Sequence, residues 1–325
     1  MNLLSQHHRA LTAFSVTSLA ALGLLASRPS SPVARVSMST AASLPQSYQT
    51  ITYKPRHQTW PYSASDLTPQ DPSSDVDFYS SPRFVTHIDD HAIETLAKYY
   101  DATLPRQGRI LDLCSSWISH FPRSLDEQVK KGELEVAGVG MNAPELKANK
   151  LLQGKWAVHD LNAEPRLPAM SALFEGKLAQ SKVAPAAEES EEVLDSTVCV
   201  VSIDYLTSPV RILQSILKNT KAGGTVHLVI SNRCFPTKAV GRWLRIDEDE
   251  RLGMVGDYLW FAGWRDIEVL TLSDGQLEEE QENATNQQGG LQSLMKMLGM
   301  SGRCDPLWVV RAKKTDDAAS SAGKI

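Results

Sequence analysis

Long hydrophobic runs, paired cysteines and blocks of basic residues are all missing from this 325-residue chain. Its four cysteines, Cys114, Cys199, Cys234 and Cys304, lie far apart and form no Cys-x-x-Cys or Cys/His pair at ligand spacing. That excludes a zinc module and a disulfide framework, so all four are read as reduced thiols and no structural metal is predicted. The formal net charge is -5 with only scattered Lys/Arg pairs. Without a basic block to neutralise phosphates, no extensive nucleic-acid surface is predicted. The apolar stretch from Leu11 to Ala26 is broken by Thr12, Ser15, Thr17 and Ser18. A membrane span needs about twenty mostly apolar residues, so no transmembrane span is favoured. Acids are absent before Asp66, while Arg9, Arg28, Arg35 and many Ser and Ala residues are present. Such a segment reads as a targeting leader over residues 1–45 without fixed structure, sent to an organelle with the mitochondrion favoured. The alternative is a secretory signal or membrane anchor centred on Leu19–Ala26.

What is present is an ordinary globular composition, 42% apolar and 22% charged, enough to bury a full core. Residues 46–80 are rich in Pro, Ser, Tyr and Asp without a sustained period and read as an extended arm. Ala92, Ile93, Leu96, Ala97 and Tyr100 recur at helical spacing behind a capping Asp89 or Asp90. Four short strands follow, in Ile110–Leu113, Glu135–Gly140, Ala157–Asp160 and Val198–Asp204, with helical or loop segments between them. Pro209–Leu217 reads as a helix, Lys221–Gly224 as a turn and Val226–Ser231 as a fifth strand. A helix over Arg251–Phe261 precedes strands at Ile267–Leu272 and Pro306–Ala312, joined without a packed crossover helix. This alternation predicts an α/β fold: a doubly wound, mostly parallel seven-stranded sheet with an antiparallel edge strand and helices on both faces. The folded domain is placed at residues 81–313, with polar, solvated insertions at about 170–195 and 273–303. A mobile tail is expected over 314–325.

Ligands of such sheets bind beyond the carboxyl ends of the strands, so the residues there are the candidates for chemistry. After the first of the four strands comes Asp112-Leu113-Cys114-Ser115-Ser116-Trp117, a turn with no glycine. Pro122 delays the next helix to Pro122 or Arg123 and lengthens the turn through Ser119 and His120. Asp112 either caps local N–H groups or orients a ligand. His120 is either a general base or polar surface. After the second strand, Gly140-Met141-Asn142-Ala143-Pro144-Glu145 reads as a helix start with Asn142 as N-cap and Glu145 at the capping-box spacing. After the fourth, Asp204 and Tyr205 either shape a pocket or serve the fold.

The order of these pieces resembles the Rossmann-like class of S-adenosylmethionine-dependent methyltransferases. Pro82–Asp89, Leu113–Trp117 and Ser231-Asn232-Arg233-Cys234-Phe235-Pro236 further resemble a degenerate-motif methyltransferase-like group of fungi, plants and algae, over about residues 78–312. The resemblance implies S-adenosyl-L-methionine as cofactor and an unknown methyl acceptor. It places the family's three glycines at Cys114, Ser116 and Ile118, and any of these needing a left-handed backbone would carry about 1–2 kcal/mol. It implies that Asp112, Cys114, Ser115 and Ser116 face the cofactor's amino-acid end. Gly140 stands where an acid would take the ribose hydroxyls, with Asn142 as a substitute donor and Met141 against the adenine. Asp160 would take the adenine amine and the main-chain N–H of Leu161 a ring nitrogen. Tyr205 would shape the acceptor pocket, with Asp204 or His120 orienting or deprotonating the acceptor. The alternative is a non-catalytic Rossmann-like binding or assembly protein that has lost cofactor use. A nicotinamide dehydrogenase is disfavoured because Gly-x-Gly-x-x-Gly is absent.

Overall fold

The computed structural model describes residues 48–179, 183–276 and 303–316. The leader, the scrap from Leu291 to Leu298 and all but the start of the tail lie outside them. An eight-stranded sheet runs in the order β1-β7-β8-β6-β5-β2-β3-β4. Its members are β1 (Gln49–Thr52), β2 (Gly108–Leu113), β3 (Leu134–Gly140), β4 (Trp156–Val158), β5 (Leu194–Val200), β6 (Thr220–Ser231), β7 (Arg265–Ser273) and β8 (Leu307–Lys313). The strands from β4 to β6 pair in parallel, and β8 pairs antiparallel with both β6 and β7.

The helices are α1 (Asp75–Phe78), α2 (Asp90–Thr103), α3 (Arg123–Lys131), α4 (Ala143–Ala148), α5 (Met170–Phe174), α6 (Pro209–Asn219) and α7 (Glu248–Ala262). Two apolar clusters form. One gathers Leu96, Tyr100, Leu125 and Leu146 from α2, α3 and α4, and the other Ile212, Leu213, Tyr258 and Phe261 from α6 and α7. Strand β2 feeds both, since Ile110 enters the first cluster and Leu111 and Leu113 the second. Successive side chains point to opposite faces, so a strand buried on both sides is apolar on both, as Ile110, Leu111 and Leu113 are, with Asp112 the buried polar exception.

Four expectations change. The sheet has eight strands rather than seven, because residues 49–52 of the arm pair antiparallel with β7. All four residues of β1 are exposed, so its affinity for the edge lies in backbone hydrogen bonding that no apolar pattern announces. The antiparallel pair β7–β8 exists, yet β8 is interior, inserted between β6 and β7. The turn at Lys221–Gly224 is absorbed into β6, where Gly223 takes φ +76° and the register with β5 shifts after Leu194. The region after residue 170 is also only partly solvated, since Met170, Leu173 and Phe174 of α5 are buried.

The arm is fastened at two points. Asp257 of α7, fully buried, accepts hydrogen bonds from the hydroxyls of Tyr53 and Tyr62 and from Arg56 Nη2 (2.7 Å). Lys238, also buried, reaches the carbonyl of Ser73 (2.7 Å) and the carboxylates of Asp75 (3.3 Å) and Asp71 (3.5 Å). Among the described residues no helix is long and apolar enough to cross a membrane, and no group of three or more potential ligands could hold a metal.

Candidate functional site

A cavity of about 340 Å³ opens beyond the carboxyl ends of β2 to β6, across the point where the strand order reverses between β2 and β5. Its floor comes from the turn after β2, and its roof from residues 75–88 of the arm and the approach to α2.

The turn holds its shape with hydroxyls in place of glycines. Asp112 is buried at the end of β2, and its Oδ2 accepts from Ser115 Oγ and Ser119 Oγ, both at 2.6 Å. Asn149 donates to Ser119 Oγ (2.8 Å) and to the Ser116 carbonyl (3.0 Å), so a relay runs from Asn149 through Ser119 to Asp112. Burial pushes the Asp112 carboxyl up to about 6 against the pull of those two hydroxyls. Cys114, at the first of the three glycine positions, has φ +55°, and His120 and Val201 stand at +56° and +42°. All three line the cavity, so backbone strain of about 1–3 kcal/mol per residue is concentrated there. Trp117 does not block the cavity. Its Nε1 donates to the Val85 carbonyl (3.0 Å) and closes the turn against the roof.

Gly140 lines the cavity at the end of β3, and a Cβ there would stand 2.1 Å from the Ser115 carbonyl oxygen. The turn has moved into the space an acidic side chain would need. Asn142 accepts from Glu145 N (3.1 Å) as an N-cap and donates from Nδ2 to the Tyr79 carbonyl (2.9 Å). Its donor is therefore given to the arm. Glu145 does not return to its own cap; it accepts from the backbone N–H of Arg83 and from Ser116 Oγ, each at 2.6 Å. Met141 also lines the cavity.

Asp160 lines the cavity after β4, and its Oδ1 accepts the backbone N–H groups of Asn162 (2.9 Å) and Ala163 (3.1 Å). Among the described residues its other oxygen takes no hydrogen bond. Leu161 touches the cavity, yet its side chain is buried in the core. Asn162 ties three segments together, donating to the Tyr205 carbonyl and to Asp75 and accepting from Thr207 N.

On the β5 and β6 side, Tyr205 lines the cavity, and its hydroxyl accepts from Phe235 N (2.8 Å). Burial raises the Tyr205 hydroxyl. Asp204 is not among the cavity-lining residues: it is buried behind Tyr205 with Oδ2 unpartnered, and burial lifts it to about 8. His120 lines the cavity with Nδ1 buried and unpartnered, and burial together with the nearby His87 draws it down to about 4. The residues brought together are thus Asp112, Cys114, Ser115, Ser116, His120, Gly140, Met141, Asn142, Asp160, Leu161 and Tyr205, with Asp204 apart. The bracing roles of Asn149, Ser119 and Glu145 escape sequence reasoning. Locally Asn149 signals only the cap it gives to residues 150–152, accepting from Leu151 N (3.2 Å), because the partners it braces lie about thirty residues away.

No protein-family model and no curated protein matches the chain. Among solved structures it is similar to an S-adenosylmethionine-dependent methyltransferase from Archaeoglobus fulgidus, at 14% identity and TM-score 0.40, over 68% of this chain and 94% of that one. It is similar to a phosphoethanolamine-type N-methyltransferase from Haemonchus contortus bound to S-adenosylhomocysteine, at 14% identity and TM-score 0.36, over 69% of this chain and 52% of that one. It is also similar to the [4+2]-cyclase SpnF, at 13% identity and TM-score 0.37, over 70% of this chain and 81% of that one. These likenesses add nothing to the strand order and the cavity, which rest on this chain's own geometry.

Proposed function

We propose that this chain binds S-adenosylmethionine in the cavity and transfers its methyl group to a small acceptor. The observation that carries this reading is the open cavity across the strand-order reversal, where Asp112 and Asp160 each keep one oxygen clear of the protein's own hydrogen bonds. Those carboxylates suit the cationic amino-acid end and the adenine amine of the cofactor. When bound, the cofactor supplies an electrophilic methyl on a sulfonium, which leaves as a neutral thioether while the acceptor's lone pair forms the new bond and its proton passes to water. Alignment contributes most of the acceleration in such a transfer, so no fixed acid or base is required. Tyr205 and Phe235 form an aromatic wall for the acceptor.

The fit differs from the family pattern at the ribose. With the Gly140 slot filled by Ser115 and with Asn142 and Glu145 bonded to the protein, no carboxylate stands ready for the ribose hydroxyls. That one observation favours the second reading, a binding module that no longer uses the cofactor. Calorimetry of the full chain with S-adenosylmethionine and S-adenosylhomocysteine separates the two. Saturable binding, weakened about 10- to 100-fold by Asp160→Ala through loss of a charged hydrogen bond, supports the first reading. No binding at millimolar ligand removes the first and leaves the second. The leader supports import into an organelle, the mitochondrion first, and a fluorescent fusion of residues 1–45 that stays cytosolic would remove that proposal.

A further inference from the structure

Charge is divided unevenly around the cavity. The carboxylates of Asp112, Glu145 and Asp160 stand at or beyond the ends of β2, β3 and β4, whereas the cationic side chains, Arg83 and Arg233, reach in from the roof and from the end of β6. The one roof carboxylate on the cavity, Asp75, is taken up by Lys238 (3.3 Å) and Asn162 Nδ2 (2.8 Å). Arg233 is exposed and pairs with Asp305 (2.7 Å). Arg83 has no such partner: among the described residues no carboxylate pairs with its guanidinium. The nearby Glu145 is engaged by the backbone N–H of Arg83 and by Ser116 Oγ. The guanidinium instead lies over the ring of Phe78, 4.6 Å from its centroid, and near those of Phe235 (5.5 Å) and Tyr79 (5.7 Å). It gives one hydrogen bond, from Nη2 to the Phe78 carbonyl (3.0 Å).

A guanidinium offers five N–H donors, and aromatic faces hold its plane without satisfying them. Fixed, lining a cavity and free of a counter-charge, it is arranged to receive an oxyanion by paired, charge-assisted hydrogen bonds. The same cation repels a sulfonium and an amine acceptor, while the acidic half of the cavity attracts the sulfonium. With the roof carboxylate of Asp75 paired to Lys238, cofactor and anion sort to opposite halves.

We infer that Arg83 is the oxyanion receptor for the methyl acceptor, which makes the acceptor a small carboxylic acid or phosphate ester with its apolar body against Tyr205 and Phe235. This rests on the methyltransferase reading above. The roof position gives it a structural consequence: the anion bridges the arm to the end of β6 and holds the roof down over the methyl donor.

The test uses benzoate and its neutral isostere benzamide, titrated into the full chain saturated with S-adenosylhomocysteine, for wild type, Arg83→Gln and Arg83→Lys. Both substitutions keep the backbone N–H that bonds Glu145, and melting curves check folding. Wild type is expected to prefer benzoate by about tenfold or more, Arg83→Gln to fall to within about twofold, and Arg83→Lys to keep part of the preference. S-adenosylhomocysteine affinity is expected to change less than about twofold in either variant. Absence of a preference in wild type overturns the inference. So does an S-adenosylhomocysteine affinity lowered about tenfold in Arg83→Gln with the preference intact, which would assign Arg83 to the cofactor's own carboxylate. If S-adenosylhomocysteine does not bind at all, the methyltransferase reading fails by itself. The same benzoate and benzamide titrations on the cofactor-free chain then decide the role of Arg83 separately, the tenfold preference upholding it and equal binding ending it.

Discussion

Cys114 and Gly140 explain each other. Cys114 turns the chain into the left-handed region at φ +55°, which brings the Ser115 carbonyl to where a Gly140 Cβ would stand, 2.1 Å away. A side chain at 140 and the present turn are mutually exclusive. Gly140→Ala is expected to displace the turn and lower stability by about 1–3 kcal/mol in denaturant unfolding, the usual range for overpacking against backbone. An unchanged midpoint would mean that the turn yields freely. At Cys114 the comparison of two variants isolates the backbone, since Cys114→Gly and Cys114→Ala both remove the thiol. The glycine variant is expected to be the more stable by about 1 kcal/mol, the left-handed penalty less the entropy glycine gains when unfolded. Asp112 was legible in the sequence as an acid closing an apolar strand. The hydroxyls that bind it were visible only as small residues, because nothing local says that Ser119 rather than Ser116 turns inward.

At the scale of elements, the arm converts a loose N-terminal segment into the roof of the site. Its hold depends on the fully buried carboxylate of Asp257, which faces two tyrosine hydroxyls and Arg56. Asp257→Asn would remove the buried counter-charge of Arg56 and leave it only the exposed Glu250, 3.1 Å from Nη1. The loss is expected at no more than about 3 kcal/mol, the low end for a broken buried pair, because Arg56 keeps 31% of its side-chain surface in water and Glu250 as a second partner. Hydrogen exchange should show the arm's amides, from residue 48 to 80, opening before those of β2 and β5. Simultaneous exchange would mean that the arm is no separate unit. The helices were readable from apolar spacing, and α3 begins at Arg123 as Pro122 demanded. Strand β1 was not, because an exposed edge strand leaves no hydrophobic period.

For the whole molecule, buried titratable groups shape stability against pH. Asp112 and Asp204 are raised from 3.8 to about 6 and about 8, while His120 and His227 are lowered from 6.5 to about 4 and about 3. A raised acid loses its contribution as pH rises through the interval between unfolded and folded values, because the unfolded chain gives up its proton first. A lowered histidine loses its contribution as pH falls below 6.5, because the unfolded chain takes up its proton first. The two effects oppose one another in acid. Above the histidine range Asp204 continues alone up to about 8, a fall of about 2 kcal/mol at 1.36 kcal/mol per pH unit. The melting temperature is therefore expected to decline from about pH 6.5 to 8 in wild type, and Asp204→Asn to remove the decline. A wild-type melting temperature that is flat over that range would show that Asp204 is solvated rather than buried. By itself the sequence determined the alternation of strands and helices, and with it the end of the sheet where a ligand can sit. Burial on both faces writes an apolar period into each element, and such a signal is local. Only the tertiary structure decided that the arm closes the sheet edge, that Ser115 occupies the space beside Gly140 and that Arg83 lines the cavity without a counter-ion. Each of those depends on segments distant in the chain meeting in space, where backbone hydrogen bonds and charge pairing, rather than side-chain periodicity, select the partner.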